Sequence, residues 1–136
     1  MPPDAHAIAD RLRAAGLRPT RQRLVLVGLL FGRQGDPHVT AEQLHGEAES
    51  RGARVSLATV YNALNQFTAA GLLREVQVGP GRLYFDTNTG DHHHFHVEND
   101  GTLFDIPADQ VSITRLPSAP SGMSVERVDI VVRIRR

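Results

Sequence analysis

Four imidazoles fall within five residues, His92, His93, His94 and His96, with Phe95 between the last two. On an extended strand successive side chains point to opposite faces, so His92, His94 and His96 share one face while His93 and Phe95 share the other. Two histidines two apart on a rigid strand converge on one ion. Carboxylates are near: Asp86 just before the run and Asp105 on the next strand candidate. With His38 from the loop before the second helix, the set His38, Asp86, His94, His96 and Asp105 reads as a metal site. Its nitrogen and oxygen donors suit Mn(II), Fe(II) or Zn(II). The plainer alternative, a solvated polar loop, explains less of this spacing. His6 and His45 lack such neighbours and read as surface residues.

The chain has no cysteine, which removes disulfides, thiolate zinc sites and cysteine nucleophiles together. All 15 basic residues are arginine, balanced by 15 acids. The front is basic and the back acidic. Arg11, Arg13, Arg18, Arg21 and Arg23 crowd together near the start, the kind of footprint that phosphate binding needs.

Elements that position these groups follow from caps and periodicity. Thr20 caps a helix over RQRLVLVGLLF, apolar enough to be buried on most sides. Thr40 with Gln43 forms a capping box for AEQLHGEAESR. Ser56 caps LATVYNALNQFTAAG, where Leu57, Val60, Leu64 and Phe67 fall on one face and Gly71 ends the helix. The opposite face carries Ala58, Thr59, Asn62 and Gln66, with Tyr61 at its border: small, polar and uncharged, unlike an ordinary surface helix. Asn and Gln pair with adenine and Thr or Tyr surfaces suit thymine, so an AT-rich major groove is the expected partner.

LLREVQV and RLYFD around GPG read as a hairpin. Three helices and a hairpin make a winged helix-turn-helix. Beyond a TNTGD linker, HHHFHV, TLFDI and SVERVDIVVRI are short strands. In the last of these Val128, Ile130, Val132 and Ile134 form an apolar face. So few strands make a poor core alone, and pairing with a second copy is expected. The fold class is therefore α+β: an N-terminal winged helix-turn-helix, residues 1–86, then a small α/β dimerisation and sensing domain, residues 87–136. The longest apolar run, Leu24 to Phe31, is far shorter than the roughly 20 residues of a membrane span. No secretory pattern opens the chain, so no membrane association and a cytoplasmic location are expected.

GLRPTRQR, SLATVYN with LNQ following, YFDTN, HHH and VDIVVR, in that order, resemble the ferric uptake regulator superfamily along nearly the whole chain, most of all its iron response regulator branch (Irr). The resemblance implies a homodimer, or a tetramer of two dimers, that binds an AT-rich palindrome on double-stranded DNA and is not an enzyme. It implies DNA contacts at Arg18 near the minor groove and at Thr59, Tyr61 and Asn62 on the recognition helix, with Arg21 and Arg23 on phosphates. Asn62 stands where many members carry Arg, which implies a different operator base. The family's regulatory metal site maps onto the same His38, Asp86, His94, His96 and Asp105. A second metal site is expected to be missing, because Phe95, Ser112 and Val128 stand at its ligand positions. The Irr branch further implies control of iron and haem genes, with haem bound at His92, His93 and His94. The runner-up is an Fe- or Mn-dependent peroxide-sensing repressor of the same superfamily. A small non-haem metalloenzyme would leave the uncharged helix face unexplained.

Overall fold

A computed structural model describes residues 4–33 and 35–136. The chain divides into two compact units, the first running through Thr89 and the second spanning Gly90–Arg136. The sequence reading ended the first unit at residue 86. An Asx turn, in which Asp86 Oδ1 accepts from the Asn88 backbone N–H at 2.9 Å, holds the following residues to the end of that strand.

In the first unit the order is α1 (Ala5–Ala14), α2 (Arg21–Gly32), β1 (His38–Val39), α3 (Ala41–Ser50), α4 (Leu57–Ala69), β2 (Arg74–Gly79) and β3 (Arg82–Asp86). Each expected cap forms. Thr20, Thr40 and Ser56 side chains accept from the N–H three residues on, and Thr40 and Gln43 complete a reciprocal capping box. Sequence reading did not single out α1, which Asp4 caps and which buries Ile8 and Leu12. Gly28, in the interior of α2, has a structural use here: a Cβ would lie 3.3 Å from Ile8 Cδ1, so glycine lets α1 approach. Arg11 sits over the Phe31 ring at 4.1 Å and seals the same contact from outside.

Val60, Leu64 and Phe67 are fully buried among Leu26, Val27, Leu44 and Phe85, and Leu57 packs at the edge. Gly71, at φ 82°, takes the left-handed turn after α4 that a side chain would oppose. β2 and β3 then form the antiparallel wing, with an irregularity between Gln77 and Gly79. β1 joins the wing as a third strand, giving the order β1-β3-β2. His38, read from sequence as a loop residue, is therefore a strand residue.

The second unit is a sheet of order β5-β4-β6, built from β4 (His92–Val97), β5 (Leu103–Pro107) and β6 (Val131–Ile134). β5 runs antiparallel to the central β4 and β6 parallel to it. Between β5 and β6 the described chain holds one 3-10 turn, Ala108–Gln110, and otherwise neither helix nor strand. The last strand is shorter than its alternating pattern suggested. A parallel partner supplies hydrogen bonds only where the backbone runs alongside β4, and pairing spans Val131–Ile134. Among the described residues no helix is long and apolar enough to cross a membrane.

Candidate metal centre and nucleic-acid interface

Each unit presents one histidine–aspartate pair set by strand register. In the first, His38 on β1 lies directly opposite Asp86 on β3. Directly opposed residues of an antiparallel pair project from the same face, and here His38 Nε2 is 3.1 Å from Asp86 Oδ2. Asp36 fixes the imidazole from behind: its Oδ1 accepts from the His38 backbone N–H at 2.9 Å and from Nδ1 at 2.6 Å. A carboxylate only accepts, so Nδ1 carries the proton, and in the neutral ring Nε2 is a lone pair. A lone pair facing a carboxylate oxygen at 3.1 Å is unfavourable unless a cation, proton or metal, lies between them. Asp86 is fully buried, which makes that demand for positive charge stronger.

In the second unit His94 on β4 is directly opposite Asp105 on β5, with Nε2 3.4 Å from Oδ1. His92 reaches the same oxygen at 3.6 Å, its ring edge-on to His94 at a centroid distance of 4.6 Å. His92 Nδ1 donates to the Gly90 carbonyl at 2.6 Å, which again leaves Nε2 as the ligating nitrogen. One ligand atom from each of His92, His94 and Asp105 lies within 4.8 Å of the others. His96 shares their face but stands opposite Leu103 and is 1% exposed. The sequence set included His96 and left His92 out. Alternation alone puts all three histidines on one face; the cross-strand register sets His94 opposite Asp105 with His92 and His96 each one diagonal step away, and it is the His92 side chain that reaches Asp105.

The remaining member of the run behaves differently. His93 Nδ1 accepts from the Ile130 backbone N–H at 3.1 Å, so the proton of the neutral ring is on Nε2. That bond ties the run to the residue just before β6 and puts the ring proton on the nitrogen that a metal would need.

Of the residues expected to contact DNA, Arg18, Arg21 and Asn62 are exposed and Thr59 is half-buried. The Thr59 hydroxyl pairs with Ser56 Oγ at 2.9 Å. Arg23 does not point freely outward. Its guanidinium donates to the Arg18 carbonyl at 2.9 Å and to Gln66 Oε1 at 3.0 Å, bracing the segment before α2 against the recognition helix α4. Arg23 therefore positions Arg18 and Gln66, a use the sequence reading had not foreseen. Tyr61 is also engaged: its hydroxyl donates to Glu42 Oε1 at 2.6 Å. This bond is the main reason the Glu42 carboxyl is held below its ordinary 4.5 and the Tyr61 phenol is raised above 10.0. Sequence reasoning missed Asp36 and Glu42. The Asp36–Pro37–His38 spacing did carry a local signal, since aspartate readily accepts from the N–H two residues on; a bond between residues 42 and 61 carried none.

The ferric uptake regulator family model matches residues 14–133. The ferric uptake regulation protein of Bordetella parapertussis is 36% identical over 98 residues, covering 71% of this chain and 70% of that protein. The peroxide operon regulator of Bacillus subtilis is 34% identical over 97 residues, covering 71% of this chain and 66% of its own length. The ferric uptake regulator of Pseudomonas aeruginosa, solved with manganese, superposes with a TM-score of 0.70 at 24% identity, over 95% of this chain and 97% of its own; the likeness is one of fold. A match over nearly the whole chain, with the winged helix and the histidine-bearing sheet both in place, establishes that this chain belongs to the ferric uptake regulator family, whose members are metal-responsive transcription regulators and not enzymes.

Proposed function

We propose that the protein is a dimeric, metal-responsive repressor in which His38 and Asp86 of the first unit and His92, His94 and Asp105 of the second close on one divalent ion. The observation that carries the reading is the pair of opposed His–Asp contacts. In each unit a fixed hydrogen bond at Nδ1, to Asp36 or to the Gly90 carbonyl, reserves one Nε2 for a ligand. Three nitrogens and two carboxylates suit Mn(II), Fe(II) or Zn(II), and a bound ion would supply the positive charge that buried Asp86 calls for.

Each ligand then has a defined task. His38 and Asp86 terminate the wing, so whatever holds them holds the DNA-binding unit. His92, His94 and Asp105 belong to the sheet whose other face carries Phe95 between Phe104 and Val132. Phe104 is 47% and Val132 37% exposed in the single chain, an apolar face suited to a second copy. Joining the two sets fixes the spacing of two α4 helices over an AT-rich palindrome; parting them releases it.

Fluorescence anisotropy of a labelled AT-rich palindrome tests this. Mn-loaded protein is expected to bind, chelator to release it, and His94→Ala to bind weakly whether or not metal is present. Equal binding by the wild type in metal-loaded and metal-stripped buffer would overturn the coupling.

A peroxide-sensing reading has a specific observation in its favour: the site is built from nitrogen and oxygen donors alone, in a chain without cysteine, and the Bacillus subtilis relative is a peroxide regulator. Uptake of one oxygen atom on His38 or His94, with iron and peroxide present, would support it. The Irr reading, with haem at His92, His93 and His94, rests on motif order. Haem ligation at His93 Nε2 would cost the bond to Ile130, and His92 and His94 are buried beside Asp105. Release of DNA by haemin, lost on changing the three histidines to alanine, would revive it.

A further inference from the structure

The first unit contains a cleft of about 520 Å³ whose rim holds three arginines. Arg21 opens α2, while Arg51 and Arg54 belong to the turn between α3 and α4. The floor is apolar, with Val25, Leu26 and Val55, and no acidic residue lines the cleft. Among the described residues none of the three arginine side chains makes an ion pair or hydrogen bond. Four other arginines of this unit are engaged, Arg13 with Asp10, Arg33 with Glu47, Arg23 with Gln66, and Arg11 over Phe31. Three guanidinium groups around one concavity with no partner repel one another.

We propose that this cleft is a clamp for the DNA sugar-phosphate backbone, holding the phosphates that border the major groove entered by α4, with Arg51 and Arg54 as its principal donors. The inference rests on the regulator reading above. Arg54 lies two residues before Ser56, the N-cap of α4. Recognition helices present their N-terminal residues to the base edges, so the turn that leads into α4 meets the flanking phosphates. Guanidinium forks suit phosphate oxygens, and the apolar floor accepts the sugar. This assigns a phosphate role to residues outside the recognition helix and leaves base selection to Asn62 and Thr59.

The test is the salt dependence of duplex binding by the full, Mn-loaded chain. The AT-rich palindrome and an unrelated duplex of equal length are titrated with wild type and with an Arg51→Gln, Arg54→Gln double variant. Each phosphate contact contributes about 0.9 to the slope of log K against log salt, so two lost contacts should reduce its magnitude by about 1.8. The ratio of affinities between about 50 and 200 mM salt should then shrink about 12-fold, on both duplexes alike. Arg54→Gln alone should give half the slope change and guards against a folding defect in the pair, which an unchanged Tm would also exclude. An unchanged slope, or a loss confined to the palindrome, overturns the clamp while the regulator reading stands. Failure of the wild type to bind either duplex overturns both.

Discussion

Replacing Asp36 by alanine is expected to weaken Mn(II) binding about tenfold without removing a ligand. Asp36 Oδ1 takes two bonds from His38, one from the backbone and one at 2.6 Å from Nδ1. The second bond sets the tautomer and makes Nε2 a better donor. Loss of such an outer partner costs about 10- to 100-fold in affinity. The lower end applies because the Asp36 side chain is 49% exposed and water replaces part of the bond. Tenfold corresponds to about 1.4 kcal/mol. Asp36→Asn retains an uncharged acceptor and should fall between the variant and wild type. Competition against a chromophoric chelator measures all three, with His38→Ala as the reference for loss of a true ligand. If Asp36→Ala binds as wild type while His38→Ala does not, the orienting role is wrong; if neither differs from wild type, His38 is not a ligand.

Two further outcomes follow from local geometry. Thr40→Ala removes the hydroxyl that accepts from the Gln43 N–H at the start of α3, while the backbone N–H at that position can still donate to Gln43 Oε1, and should cost about 1 kcal/mol, read by calorimetry as a Tm lowered by about 4–8 °C; no shift would mean that the side-chain cap contributes nothing. Tyr61→Phe should raise the Glu42 carboxyl toward 4.5, seen by NMR titration. A depressed acid stabilises the fold above its unfolded value and loses that contribution as pH falls through its folded value. The phenol, raised above 10.0, contributes below that value and loses it as pH rises further. The variant should therefore be less stable than wild type at neutral pH and equal to it in acid; a difference that persists in acid would assign the effect to packing instead.

What the sequence determined by itself was whatever acts over a few residues. Thr20, Thr40 and Ser56 cap helices because a side-chain oxygen reaches an N–H three residues on, and that contact is visible in any short window. The stripe of Val60, Leu64 and Phe67 follows from helical period, and the sharing of one face by His92, His94 and His96 from strand alternation. Tertiary structure decided everything that depends on register between distant segments. Pairing of β1 with β3 turned His38 from a loop residue into the partner of Asp86, and pairing of β4 with β5 set Asp105 against His94 and within reach of His92. A slip of two residues would have kept every side chain on its face and chosen His96 instead, so no periodicity argument selects between them. Arg23 and Tyr61 show the same limit: their bonds to Gln66 and Glu42 span residues far apart in sequence, and only the packing of α2 and α3 against α4 brings those groups together.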